Sequence, residues 1–168
     1  MSAIRRIVYA TDFSPASRPA FGRALDLARA NRAELIALHV VTPPLLYGPE
    51  AYAMPQVYDG MVAGLRAAAG KQLDRLVARA KAAGVRARAL VQEGIPHDRV
   101  VRAARSLQAD LLVIGTHGRT GLARLFVGSV ASRVIAAAAC PVLSVRGAGG
   151  SGARPPGRRR ARRDGGRR

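Results

Sequence analysis

The chain has 168 residues, 49% of them hydrophobic, with a single cysteine and a formal net charge of +18. That length suffices for one domain with a real core and falls short of two comfortable ones. No stretch approaches the roughly 20 apolar residues of a membrane span, and a lone cysteine excludes an internal disulfide, which fits a reducing compartment and, by default, the cytoplasm.

Between Arg5-Arg6 and Asp12 only Ile7 to Thr11 are uncharged, too short a run for a signal sequence. Ile7-Val8-Tyr9-Ala10 is instead the first predicted strand. Ser14 and Pro15 then open a helix as N-cap and first helical residue, with Phe21, Ala24, Leu25 and Ala28 inward at helical spacing. The continuous apolar run Leu35-Ile36-Ala37-Leu38-His39-Val40-Val41 suits a strand covered on both faces. Residues 42–57, with Pro43, Pro44, Gly48, Pro49 and Pro55, read as an irregular segment long enough to be a mobile flap.

A second helix is expected over about 60–83, with Leu65, Ala69, Leu73, Leu76, Val77 and Ala80 inward and Gly84 as its stop. A strand near 86–91, a turn at 92–95 and a helix from Pro96 follow, the helix inward at Val100, Val101 and Ala104. Leu111-Leu112-Val113-Ile114 is the fourth strand, about 129–139 the fourth helix, and Val142-Leu143-Ser144-Val145 the last strand. Strands alternating with helices mean a parallel α/β architecture, doubly wound, with helices on both faces of the sheet. Ligands of such sheets bind beyond the carboxyl ends of the strands, where strand order reverses. With strand one beside strand four there, the Asp12 loop and the Gly115 loop form two walls of one crevice.

The charge is unevenly spread. Residues 147–168 hold eight arginines against Asp164, a net of +7, which leaves +11 on residues 1–146. In the body the cations lie mostly between the apolar positions of helices, as on a solvated face. The tail has seven glycines, two prolines and no large apolar residue, so it cannot bury enough surface to offset its ordering entropy. The expected organisation is a folded domain over 1–146 and a disordered, Arg/Gly-rich basic tail over 147–168. Eight arginines on a disordered tail could hold nucleic acid through its phosphates.

The richest segment joins the fourth strand to the fourth helix: Gly115-Thr116-His117-Gly118-Arg119, then Arg124, then Gly128-Ser129-Val130. Small residues let backbone N–H groups approach a ligand, and a helix start favours negative charge. Ser129 can cap the helix, donate to a phosphate, or do both. One helix end contributes only ~0.3–1 kcal/mol, so a bound triphosphate needs loop amides and cations as well. Arg119, Arg124 and Arg133 are available, each also readable as a solvated side chain. His117 either contacts phosphate or caps the loop. Asp12, just past the first strand, either accepts ligand hydroxyls or closes an Asx-turn on Ser14.

Elsewhere His39 reads as a core or near-core histidine, His97 as structural and Cys140 as a small buried hydrophobe. The three histidines have no metal-ligand spacing. There is no P-loop, no dinucleotide fingerprint and no nucleophile elbow.

Taken in order, these residues resemble the universal stress protein family. The resemblance rests on Tyr9-Ala10-Thr11-Asp12-Phe13-Ser14, Leu38-His39-Val40-Val41, Gly94, and the pattern G-x2-G-x9-G-[ST] formed by Gly115, Gly118, Gly128 and Ser129. It covers about residues 3–146. The resemblance implies a Rossmann-like five-stranded sheet of order 3-2-1-4-5 and a homodimer formed through Val142–Val145. It further implies ATP, with Mg2+ or Mn2+. Ala10, Thr11 and Asp12 would line the adenine and ribose side and Val40 would meet the base through its backbone. Ile114 and Gly115 would approach the ribose, and Gly118, Gly128, Ser129 and Val130 would hold phosphates. Ala131 departs from the pattern, since some ATP-binding members have a hydroxyl there. The expected function is that of an ATP-binding stress-response regulator or sensor. A nucleic-acid-associated protein acting through the tail and a slow ATP hydrolase are the alternatives.

Overall fold

In the computed structural model, the structure describes residues 3–43, 55–116 and 128–146. The chain order is β1 (Arg6–Ala10), a 3-10 turn (Pro15–Ser17), α1 (Arg18–Asn31), β2 (Glu34–Val41), α2 (Pro55–Ala82) and β3 (Ala87–Glu93). It continues with α3 (Pro96–Ser106), β4 (Leu111–Gly115), α4 (Ser129–Ala137) and β5 (Val142–Val145). All strand pairs are parallel, in the order β3-β2-β1-β4-β5. The chain therefore moves outward from β1 through β2 to β3, returns across the sheet to β4 and ends at β5.

The period-2 alternation of the strands divides the core into two layers. Ile7, Tyr9, Leu35, Ala37 and Val113 face α1 and α2, where they meet Phe21, Ala24, Leu73 and Ala80. Val8, Ile36, Leu38, Leu112 and Ile114 face α3 and α4, against Val100, Ala104, Ala131 and Val134. Ile7, Leu35, Leu38 and Leu112 are fully buried, and burying each such side chain contributes about 1.5–3 kcal/mol. Tyr9 can be buried because its hydroxyl donates to the Ser17 carbonyl at 3.0 Å, while its ring packs 5.6 Å from that of Phe21. Burial raises its pKa above the ordinary value.

Several local expectations are corrected. The helix expected from Pro15 is a single 3-10 turn followed by a fresh start at Arg18. An α-helix beginning at Pro15 would place the ring of Pro19 against the Pro15 carbonyl, with no N–H to bond it. Ser14 stands at the N-cap position of that turn, yet its hydroxyl makes no cap bond. Among the described residues the second helix already runs from Pro55, five residues before the expected start. Its buried face is Val62, Ala69, Leu73 and Ala80, whereas Leu65 is exposed. β3 runs two residues into the expected turn, to Glu93, paired with Val41. The fourth helix ends at Ala137. The expected flap falls mostly on residues 44–54, and the expected tail on 147–168; both lie outside the described residues.

Candidate functional site

The sheet's reversal lies between β1 and β4. Thr11 N–H still donates to the Leu38 carbonyl at 2.9 Å, and Thr116 N–H to that of Val145 at 2.9 Å, each one residue past its strand. The β1 loop leads to α1 on one face of the sheet, and α4 starts on the opposite face. A cavity of about 300 Å³ opens between them, at the lower end of the range for small-molecule sites.

One wall is the β1 loop, with Ala10, Thr11, Asp12 and Ser17. Ile114, Gly115, Thr116, Gly128, Ser129 and Val130 form the facing wall. Leu38, His39 and Val40 of β2, together with Pro96, Val100 and Ala131, close the space. The result is an apolar interior, with Val40 only 9% exposed, and a polar rim. α3 and α4 both start at this rim, and their first-turn N–H groups favour negative charge nearby.

The β1 loop is tightly tied. Asp12 Oδ1 accepts the Ser14 N–H at 3.0 Å, so the Asx-turn is present. A carboxylate has roughly four acceptor sites, so this bond leaves capacity toward the cavity. Thr11 Oγ1 accepts the Phe13 N–H at 3.0 Å and lies 3.1 Å from Ser17 Oγ, which in turn donates to the Ser14 carbonyl at 2.8 Å. Ser14 Oγ is buried with no hydrogen-bond partner among the described residues.

On the other wall, Gly128 N–H donates to the Thr116 carbonyl at 2.7 Å and brings the two ends of the 117–127 segment together. Gly128, rather than Ser129, is the N-cap of α4, and Ser129 is the first helical residue. The serine hydroxyl is therefore not spent on a cap. Arg133 is exposed one turn on and does not line the cavity. His117, Gly118, Arg119 and Arg124 lie outside the described residues.

Of the residues singled out in the sequence, Ala10, Thr11, Asp12, Val40, Ile114, Gly115, Gly128, Ser129 and Val130 converge on this one cavity. The sequence reading did not single out Pro96, Val100, Ser17 and Thr116 for the site; His39, read as a core or near-core histidine, is half-buried and also lines the cavity. Parity offers a signal for Val100: it begins the helix layer that covers Leu38 and Ile114, at the end of the strands where ligands enter. Cys140 is half-buried and its thiol pKa is pushed up by burial. No group of three His, Cys, Asp or Glu residues able to hold a metal occurs among the described residues.

The sequence model of the Universal stress protein family matches residues 3–146. The chain belongs to the universal stress protein family. A family member from Methanocaldococcus jannaschii is 35% identical over 142 residues, covering 84% of this chain and 82% of the relative. Universal stress protein A homolog 1 of Coxiella burnetii is 34% identical over 142 residues, with 84% and 95% covered. Among solved structures, universal stress protein UspA from Lactobacillus plantarum superposes with a TM-score of 0.77 at 26% identity, covering 87% of this chain and 100% of that one. A universal stress protein crystallised in complex with cAMP superposes with a TM-score of 0.59 at 30% identity, covering 86% and 98%.

Proposed function

We propose that this universal stress protein binds an adenine nucleotide in the β1/β4 cavity and acts as a nucleotide-dependent regulator or sensor in the stress response. The observation that carries the reading is the pairing of Asp12 with the Gly128–Ser129 helix start across an apolar cavity. The cAMP complex of a relative 30% identical supports an adenine nucleotide as the ligand class.

In this reading the adenine lies against Leu38, Val40 and Val100, with the Val40 backbone meeting its edge. Ala10, Thr11 and Asp12 line the adenine and ribose side, and the Asp12 carboxylate accepts from ribose hydroxyls, opposite Ile114 and Gly115. Phosphates lie at Gly128, Ser129 and Val130, where small residues and the α4 N-terminus admit negative charge. ATP is the preferred ligand. Mg2+ or Mn2+ would arrive with the phosphates, which together with water supply most of such an ion's ligands in nucleotide sites; Asp12 is the nearby carboxylate. The domain is the segment 1–146, and two copies pair through β5.

Thermal denaturation tests this directly. ATP with Mg2+ at about 100 times its dissociation constant adds ~2.7 kcal/mol, which for a domain of this size raises the melting temperature by roughly 5–10 °C. No shift at millimolar ATP would overturn the reading.

A further inference from the structure

His39 occupies an unusual place for a histidine inside an apolar strand. On β2 it follows Ala37 on the α1 side of the sheet, and β1 ends opposite its neighbour Leu38. It therefore stands beside the first residues of the β1 loop. Its Nδ1 lies 2.7 Å from the Thr11 carbonyl oxygen. A carbonyl only accepts, so Nδ1 carries the proton and the tautomer is fixed by this bond. The imidazole also stacks on Phe13, with ring centroids 4.3 Å apart and planes inclined by 31°.

Phe13 has a φ of 63°. A bulky residue in the left-handed region is strained and persists only where its surroundings hold it there. Two contacts do so here: the Phe13 N–H on Thr11 Oγ1 at 3.0 Å, and the Phe13 ring on His39. The imidazole thus grips residue 11 through its carbonyl and residue 13 through its ring. Asp12 lies between the two grips and lines the cavity.

We propose that His39 is a positioning residue for Asp12: its hydrogen bond to Thr11 and its stack on Phe13 hold the turn that presents the Asp12 carboxylate to the ribose of a bound nucleotide. The inference rests on the nucleotide reading above. It assigns His39 a role in selecting for ribose hydroxyls rather than in contacting the phosphates. The strained turn needs both halves of the grip, and an apolar side chain at position 39 supplies neither the donor nor the stacking face.

The test uses the full chain and measures calorimetric affinity for Mg2+-ATP and for Mg2+-2′,3′-dideoxy-ATP, which lacks both ribose hydroxyls. Wild type should prefer ATP. His39→Leu should lose ATP affinity by about tenfold, the scale of one hydrogen bond to an ionised group, while dideoxy-ATP affinity stays within about twofold. His39→Asn, whose side-chain amide places a donor where Nδ1 stood but offers no ring to Phe13, should recover part of the loss. On an Asp12→Ala background, His39→Leu should cost no further ATP affinity, because the two act as a unit. If His39→Leu does not fold, His39→Gln moves the donor out of register by one methylene, and the same ATP-specific loss is expected relative to His39→Asn. Wild type binding neither nucleotide would overturn the nucleotide reading and this inference with it. Wild type that binds ATP, combined with unchanged ATP affinity in His39→Leu or equal losses for both nucleotides, would overturn the inference alone.

Discussion

Ala10 and Ile114 are register partners at the carboxyl ends of β1 and β4, the pair at which strand order reverses. Their side chains share the α3/α4 layer of the core, yet the chain leaving Ala10 turns to α1 on the other face while that leaving Ile114 turns to α4. The cavity follows from this divergence. Asp12 comes two residues after Ala10 and Gly115 one residue after Ile114, so the topology alone puts a carboxylate opposite a glycine-bearing loop.

Asp12 serves both the turn and the cavity, and two substitutions separate these roles. Asp12→Asn keeps an oxygen for the Ser14 N–H but removes the charge. ATP affinity should fall about tenfold, the difference between a neutral and a charge-assisted bond, with an unchanged melting temperature. Asp12→Ala, with no acceptor left, should lose more affinity than Asp12→Asn and, by losing the turn bond, about 1 kcal/mol of stability as well. Calorimetry paired with thermal melts checks both.

Gly128 has φ −55° and ψ 149°, a backbone conformation open to any residue. Gly128→Val should therefore fold and melt near wild type, keeping its N–H on the Thr116 carbonyl. Its branched side chain would occupy the space assigned to phosphate, and ATP binding should be lost. A folded Gly128→Val protein with wild-type affinity would show that this wall does not hold phosphate.

Much of this was legible in the sequence, and the reasons are physical. Continuous apolar runs marked β2 and β4 because both faces of those strands are covered. β5 was read with its observed bounds, Val142–Val145. The start of α1 was misplaced because Pro15 satisfies a helix start locally, while the conflict comes from Pro19 one turn later. α2 was begun too late because Pro55 was read as part of an irregular segment, whereas it is helical. His39 was read as core or near-core because it sits inside an apolar strand, and it is half-buried; that setting does not say that its face, at the strand's carboxyl end, borders the β1 loop.

The Asp110 carboxylate accepts the N–H groups of Arg5 at 2.7 Å and Arg6 at 2.9 Å, and these bonds hold its pKa below the ordinary 3.8. A depressed pKa contributes stability that is present above the unfolded value and lost as pH falls through the folded one. Wild type should thus be more stable than Asp110→Asn at pH 7. The gap should narrow as pH falls below 3.8, as read by denaturant melts across that range.

β5 has β4 on one side and ends the sheet on the other, with Val142, Leu143 and Val145 half-buried in the single chain. An unpaired apolar edge invites association. Sedimentation at tens of micromolar should show a dimer, and replacing Leu143 with Asp should shift it to monomer. Wild type sedimenting only as monomer would remove β5 as an interface.

The most direct measurement is a 15N–1H spectrum of the full chain titrated with Mg2+-ATP. Shifts should concentrate on Thr11, Asp12, Phe13, Val40, Gly115, Thr116, Gly128, Ser129 and Val130, while Arg5, Arg6 and Asp110 at the opposite end of the sheet stay in place. A spectrum unchanged at millimolar ATP, or shifts confined to residues away from the β1/β4 reversal, would contradict the assignment of this cavity as the nucleotide site.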